Sequence, residues 1–246
     1  MIANLMMYQR PQLIEAHARF WILIRKYLSA AGIDSPEELS QDAKECFVWE
    51  HPDLVLSQTC GMPYRTSLQN KVQLVGTPDY GLDGCLPGYY RSAIIVRADD
   101  VRRQIAEFRD TTFAYNQTFS QSGYAAPFWH VKPKGFWFKK RVHVLQHLES
   151  ARAVVNGFAD IASIDAVTWR DIAKYETFAT GLRVLEWTEP TPGLPLITAL
   201  GNDTDLIFKA VTDAIKALDE QNKSQLGIQD IVKIPKEDYL KVRNPD

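Results

Sequence analysis

The stretch HLESARAVVNGFADIASIDAVTWRDIAKY, residues 147–175, decides the fold class of this chain. Its first part has apolar residues at helical spacing up to Asn156, and Gly157 is a typical helix stop. Residues 159–164 then form a short apolar run that predicts a buried strand. The strand ends on Asp165, and a second helix is predicted through Tyr175. A helix, a strand and a helix in direct succession favour an α/β fold.

The same alternation continues along most of the sequence. A first strand is predicted over residues 2–8, and it leads into a helix that begins at Pro11 and stops at Gly32. Thr77 and Pro78 are expected to end the third strand. The strands predicted after the first cover residues 53–57, 72–76, 90–97, 112–116, 141–145, 159–164, 182–187 and 194–199. Strands that alternate with helices predict mostly parallel sheets.

Composition narrows the class of protein. The chain has 246 residues, of which 46% are hydrophobic, and this suits one large domain or two of about 100 residues each. Its net charge of −2 gives no basic field for nucleic acid or for an anionic membrane. No run of 18 apolar residues occurs, so no segment is predicted to span a bilayer.

The N-terminal residues resemble a strand and not a secretory leader, which needs a basic, an apolar and a small-residue region in turn. The chain is therefore expected to be either cytosolic or a mature form whose leader was removed and replaced by Met. The three cysteines, Cys46, Cys60 and Cys85, fit no zinc spacing, and their odd number leaves at least one thiol outside any intramolecular bridge. A Cys60–Cys85 bridge stays open at this point, and no metal or cofactor is predicted.

The residues that follow the predicted strands are the candidate binding residues, because ligands of α/β sheets bind beyond the carboxyl ends of the strands. The set is rich in hydroxyl and amide groups and contains neither Lys nor Arg. A catalytic phosphate site would normally use cations or a metal, whereas a reversible oxyanion receptor can use helix N-termini. The candidates are Tyr8, Ser57, Gln58, Thr59, Asn116, Ser120, Gln121, Ser122, Gly123, His147 and Asp165.

Each candidate also has an ordinary structural interpretation. The turns at residues 57–59 and 120–123 could simply cap helices. Asp165 could cap the helix after it, or it could accept a hydrogen bond from a P–OH group or pair with an ammonium group of a ligand. His147 could donate to a ligand oxygen or lie at the surface. His17, on the apolar stripe of the first helix, is interpreted as a packed core residue.

Five segments, in the same order along the chain, resemble the PhnD-like phosphate-, phosphite- and phosphonate-binding proteins of ABC importers. They are DLVLSQTCGMPY (53–64), LVGTPDYGLDGCLPGYYRSAIIVR (74–97), YNQTFSQSGYAAP (115–127), HLESARAVVNGFADIASIDAVTW (147–169) and TPGLPLITA (191–199). The resemblance implies the type II periplasmic-binding-protein fold, with two α/β lobes and a ligand cleft between them. The lobes are expected to comprise residues 1–89 with 188–246, and residues 90–187.

The resemblance also implies a function and a set of roles. The family's anion loop falls on residues 120–123, its acidic partner on Asp165, and its helix-opening histidine on His147; the remaining positions are residues 57–59 and Tyr8. We expect a monomer that captures phosphate, phosphite or a phosphonate for an ABC permease, without catalysis and without binding nucleic acid. The family is exported, which implies the periplasm. The sequence departs from it before His147, where residues 144–146 replace a Gly- or Ser-rich turn.

Two other functions fit the same fold. An enzyme could use Cys60 as a nucleophile of lowered pKa and His147 as its base. A cytosolic sensor could keep the fold without transport. The lack of a leader pattern supports this function, but the sequence does not separate it from the importer.

Overall fold

The computed structural model describes residues 1–41 and 44–245, without the side chain of Cys46. The strands are β1 (Ile2–Asn4), β2 (Leu54–Gln58), β3 (Val72–Asp79), β4 (Tyr89–Tyr90), β5 (Ser92–Arg97), β6 (Thr112–Tyr115), β7 (Lys140–His143), β8 (Ile161–Asp165), β9 (Leu182–Trp187), β10 (Thr191–Pro192), β11 (Leu196–Ala199) and β12 (Asp230–Val232). The α-helices are α1 (Ile14–Ala30), α2 (Glu45–Trp49), α3 (Gly61–Pro63), α4 (Ala126–Val131), α5 (His147–Val155), α6 (Ala166–Tyr175), α7 (Thr204–Ala217), α8 (Glu220–Leu226) and α9 (Lys236–Leu240). Two segments are π-helical, Tyr64–Leu68 and Gln121–Ala125.

The chain forms two compact units. Unit 1 comprises Met1–Tyr89 and Pro192–Lys241, and unit 2 comprises Tyr90–Thr191 and the residues from Val242 onward. The sequence had assigned residues 188–191 and the C-terminal tail to the first lobe, and the structure corrects both assignments. In the tail, the guanidinium carbon of Arg243 lies 3.4 Å from the ring centre of Trp129 in unit 2. This cation–π contact is one that holds the tail in unit 2.

Unit 1 is built on a five-stranded sheet in the order β1-β2-β11-β3-β12. Helix α1 packs with α7 over an apolar cluster that includes Phe20, Trp21 and Ile24. The predicted stop of α1 is confirmed, because Gly32 has a φ of 75° and the Ile33 N–H donates to the Leu28 carbonyl at 2.9 Å. A second apolar cluster contains Trp49, Tyr64 and Tyr239.

Unit 2 is built on a five-stranded sheet in the order β7-β6-β8-β5-β9. Its apolar residues fall into two clusters, one with Ile164 and Ile172 and the other with Phe108 and Phe113. The helix–strand–helix prediction for residues 147–175 is confirmed as α5, β8 and α6.

The α/β class is confirmed, but the prediction of mostly parallel sheets is wrong. Pairs β1–β2, β6–β7 and β6–β8 are parallel, as βαβ connections require. Strands β5 and β11, each the first full strand after the chain enters a unit, run antiparallel to both neighbours. These two strands enter their sheet from the other unit and run opposite to the strands beside them. The spacing of apolar residues within a segment does not show the direction of a strand.

Two predicted strand ends are also wrong. The first strand ends at Asn4, and Tyr8 closes a 3-10 turn over Met6–Tyr8. Strand β3 continues through Pro78, which pairs with Ile231 of β12. Strand β11 pairs with β3 only up to Gly76, so near Pro78 the strand has a partner on one side and the missing N–H is tolerated.

Candidate functional site

The turn that follows β6 forms the centre of the unit 2 site. Ser120 is the N-cap of the next helical segment, and its Oγ accepts a hydrogen bond from the Gly123 N–H at 3.0 Å. The segment opens as a π-helical turn, in which the Ala125 N–H donates to the Ser120 carbonyl at 3.0 Å. Residues 120–123 are all buried. A wide turn of this kind is frequent at functional sites, and its first N–H groups have no partner within the helix.

His147 lies at the start of α5, as predicted, and contacts the turn. Its Nε2 is 2.8 Å from the Ser122 Oγ and 3.5 Å from the Asn116 Nδ2. Burial lowers the pKa of His147 to about 4, and the Ser163 main chain offsets part of this effect. The imidazole is therefore neutral at neutral pH, and this group of residues brings no cation to the turn.

Strand β8 positions two further polar residues. The Ser163 Oγ donates to the Ser122 carbonyl at 2.7 Å. Asp165 is two residues along the same strand, so its side chain leaves the same face of the sheet. Its Oδ1 accepts from the N–H groups of Val167 at 2.8 Å and Thr168 at 3.0 Å. Asp165 therefore caps α6, as its structural interpretation predicted, and it is only 2% exposed.

Leu145 explains how the turn before His147 works without the glycine or serine of the family pattern. It has a φ of 66°, the one left-handed conformation of a non-glycine residue in the described part of the chain. Its carbonyl accepts a hydrogen bond from the side-chain amide Nε2 of Gln117 at 3.4 Å. A left-handed non-glycine residue costs roughly 1–2 kcal/mol, and such strain is typical of functional sites.

Gly123 allows the turn to pass close to its neighbours. A Cβ atom at this position would lie 1.9 Å from the Asn116 Oδ1 and 3.1 Å from the His147 Cε1.

We predict that Gly123→Ala displaces Asn116 and His147. The variant is expected to lower the free energy of unfolding by about 1–3 kcal/mol and to weaken oxyanion binding about tenfold. Denaturant titration and calorimetry measure the two effects.

Gly61→Ala is the matched control for that substitution, because a Cβ atom there would meet its nearest neighbour at 3.7 Å, an ordinary contact. An equal loss of stability in both variants would contradict the role given to Gly123.

The unit 1 candidates form a separate group. Tyr8 packs edge-on against Tyr80, with 5.1 Å between the ring centres. The Gln58 Nε2 donates to the Leu194 carbonyl at 3.1 Å and lies 3.4 Å from the Tyr80 hydroxyl. Tyr8, Gln58 and Tyr80 line one cavity, which also contacts His17 of α1.

The strand-to-helix turn predicted at residues 57–59 is present, but it lies one to two residues further along, at Thr59 and Cys60. Ser57 and Gln58 are the last residues of β2, and the next helix begins at Gly61 with Cys60 as an N-cap that makes no side-chain capping bond. Successive side chains of a strand point to opposite faces of the sheet, so the side chains of Ser57 and Gln58 lie on different faces. The hydroxyls of Ser57 and Thr59 are buried and have no hydrogen-bond partner among the described residues.

The predicted set thus divides between the two units. Unit 2 brings together Asn116, the turn at 120–123 and His147, and places Asp165 on the same face of β8 as Ser163. Sequence reasoning missed Ser163, although a serine in the apolar run of β8 was a usable signal. It also missed Tyr80, which follows β3 directly.

Comparison with known proteins identifies the class first. A Xanthomonas citri protein solved with chloride has a TM-score of 0.71, with 14% identity over 98% of this chain and 94% of that one. A binding protein of the Pseudomonas aeruginosa ABC phosphonate transporter has a TM-score of 0.69, with 15% identity over 98% and 82%. PhnD1 of Prochlorococcus marinus, solved with methylphosphonate, has a TM-score of 0.70, with 14% identity over 97% and 94%. These likenesses confirm the periplasmic-binding-protein fold.

The sequence match is more specific than the fold. Residues 55–239 match the family described as the phosphonate periplasmic substrate-binding proteins of ABC transporters. The chain belongs to this family, as the five quoted segments predicted. No curated protein sequence matches the chain. Of the helices in the described residues, none is long and apolar enough to cross a membrane.

Proposed function

We propose that this protein reversibly captures a protonated tetrahedral oxyanion, namely phosphate, phosphite or a phosphonate, and delivers it to the permease of an ABC importer. The observation that carries the proposal is the buried turn of Ser120 to Gly123, which is hydrogen-bonded to a neutral histidine. Hydroxyl and N–H groups at such a turn donate to oxyanions. The candidate set contains neither Lys nor Arg, and without a paired cation the bound anion is released more easily.

The acceptor in this group is Asp165. Its Oδ1 is occupied by the cap of α6, and its carboxylate places a negative charge at the end of β8. A ligand with a P–OH group can donate to a carboxylate, whereas a fully ionised anion is repelled by it. Membership of the phosphonate family supports a ligand of this class.

We further propose that binding occurs without catalysis. Ser122 and His147 have the 2.8 Å spacing of a nucleophile and its base. However, a histidine with a pKa of about 4 is a weak base at neutral pH, and no described carboxylate reaches its Nδ1. The third group that orients the base in a catalytic triad therefore has no counterpart in the described residues.

The experiment is ligand screening of refolded, ligand-free protein by thermal shift, with phosphate, phosphite, methylphosphonate, 2-aminoethylphosphonate and sulfate. A ligand at 100 times its Kd is expected to add about 2.7 kcal/mol to the stability. Ser122→Ala is expected to weaken the best ligand by about ten- to a hundredfold in calorimetry, since it removes a hydrogen bond to a charged group.

Ser150→Ala is the matched control, because Ser150 is equally buried in unit 2 and its hydroxyl donates only to the Gln146 carbonyl. The proposal fails if none of the P–OH ligands stabilises the protein, or if both serine variants bind equally well. Whether the ligand also contacts the unit 1 group is a separate prediction. Variants in that group, such as Gln58→Leu, test it.

A further inference from the structure

Positive charge is concentrated in one segment of unit 2. Residues 111–148 contain neither Asp nor Glu, although the whole chain has 30 acidic residues and a net charge of −2. The same segment contains five lysine and arginine side chains, all of them exposed: Lys132, Lys134, Lys139, Lys140 and Arg141. The charge of this segment is therefore opposite in sign to the net charge of the chain.

Three of these cations are consecutive and lie at the edge of the sheet of unit 2. Strand β7 (Lys140–His143) is the outermost strand of that sheet, and it pairs in parallel with β6. On its other side, no strand or loop among the described residues is hydrogen-bonded to its main chain. Lys139 directly precedes the strand. We call residues 139–143 the basic edge.

The positive charge of the basic edge is not balanced by pairing within unit 2. Residues 139–141 form no ion pair in the part of the chain that the structure describes. The carboxylate of Asp160 accepts a hydrogen bond from the N–H of Thr112, which lies opposite Lys140 in the sheet. That carboxylate is already paired with Arg97, at 3.2 Å. Adjacent like charges repel one another, and an anionic partner would relieve this repulsion.

The basic edge offers cations and main-chain groups but little apolar surface. Val142 is its one apolar residue and is partly buried. The guanidinium carbon of Arg141 lies 5.8 Å from the ring centre of Trp137, and the His143 ring stacks on Tyr115 with 5.3 Å between the ring centres. Both aromatic residues are partly buried. A surface that binds a bilayer presents free apolar side chains beside its cations, and the basic edge does not have this character.

We propose that the basic edge binds an acidic, extended segment of a partner protein, which adds to the sheet as a strand beside β7. The open main-chain groups of an edge strand pair with a peptide backbone, and the three cations pair with carboxylates of the segment. A nucleic acid supplies negative charge but no N–H and C=O groups at the spacing of a strand. Like charges would meet if two copies of this chain paired through the edge, so the same cations disfavour self-association.

The test measures the Kd of labelled octapeptides by fluorescence anisotropy at low ionic strength. An alternating Glu-Val peptide carries carboxylates and can pair as a strand, whereas an alternating Glu-Pro peptide has the same charge but lacks the N–H groups of its prolines. We expect the Glu-Val peptide to bind at least about tenfold more tightly than the Glu-Pro peptide and than an alternating Lys-Val peptide. Added salt is expected to weaken its binding. Infrared spectra of the isotope-labelled Glu-Val peptide are expected to show an extended strand in the bound state.

Two triple variants with the same change in net charge locate the binding surface. Replacing the three cations of the basic edge by Gln is expected to weaken binding of the Glu-Val peptide about tenfold, because three exposed ion pairs are lost. The variant is Lys139→Gln/Lys140→Gln/Arg141→Gln. The control replaces three exposed lysines of unit 1 by Gln, namely Lys26, Lys209 and Lys216. It is expected to leave the Kd within about twofold of the native value. Thermal melting shows that each variant is folded.

Three outcomes would overturn the inference. Equal binding of the Glu-Val and Glu-Pro peptides would mean that charge alone attracts the peptide and that no strand is added. An equal loss of affinity in the two triple variants would place the binding elsewhere. If the native protein binds phosphatidylserine vesicles and not the Glu-Val peptide, and the basic-edge variant binds neither, the partner is a lipid surface. None of these results bears on oxyanion capture, which uses other residues of unit 2.

Discussion

Asp165→Asn is expected to reduce the preference for phosphate over sulfate by about a hundredfold. A carboxylate about 4 Å from a fully ionised anion disfavours it by several kcal/mol at an effective dielectric near 20, and a P–OH group turns that repulsion into a hydrogen bond. An asparagine amide can donate to sulfate, so the variant loses the discrimination. The helix cap survives, because asparagine caps helices as well as aspartate and keeps the Oδ1 that accepts from Val167 and Thr168. Titration calorimetry with both anions gives the ratio.

Asp203→Asn is the matched control for this experiment. Asp203 caps α7 through the same geometry, with its Oδ1 3.0 Å from the N–H groups of Asp205 and Leu206, but it lies in unit 1 and is exposed. It should leave the ratio of the two affinities unchanged. If the native protein binds sulfate as tightly as phosphate, Asp165 is a helix cap and nothing more, and the acceptor assignment is wrong.

The elements of the fold that the sequence predicted well depend on local signals. The cap and stop residues of α5, β8 and α6 lie within their own segments, and the boundaries agree to within about two residues. Strand direction depends instead on where the chain passes between units. Residues near such a passage, such as Tyr89 and Pro192, carry no local sign of which strand will lie beside them.

The candidate site divides in the same way. Ser120 and His147 could be recognised because a capping serine and a helix-opening histidine are local patterns, and the structure then joins them through Ser122. Ser57 and Gln58 were assigned to a turn because polar residues usually end a strand. They stay in β2 because a distant partner satisfies Gln58, namely the Leu194 carbonyl, 136 residues away.

His17 shows the limit of pattern reasoning most directly. Its place on the apolar stripe of α1 correctly predicted burial, but burial alone does not distinguish a packed ring from one beside a cavity. The difference depends on Tyr80 and Ile228, which come from other parts of unit 1. Only the assembled unit shows that the imidazole lies beside the cavity.

The second large effect is expected in the pH dependence of stability. His147 has a pKa of about 4 in the folded protein and about 6.5 when unfolded. Between these values the unfolded state binds a proton that the folded state does not, so the stability falls as the pH drops from about 6.5 towards 4. At pH 5 this contribution is about 2 kcal/mol. His147→Asn is therefore expected to lose about 2 kcal/mol less than the native protein between pH 7 and pH 5, as measured by denaturant titration.

The control for this prediction is His143→Asn, because His143 is exposed and its ring meets solvent in both states. Burial lowers the pKa of His17 in the same direction, so His147→Asn should keep part of the acid sensitivity of the native protein. The double variant His17→Leu/His147→Asn should lose still less stability at pH 5 than either single variant.

The outcome that would contradict this prediction is an equal loss of stability in the native protein and in His147→Asn between pH 7 and pH 5. It would mean that His147 is already protonated in the folded protein at pH 5. His147 would then be a cation beside Ser122, and the proposal that a turn next to a neutral histidine binds the oxyanion would be wrong.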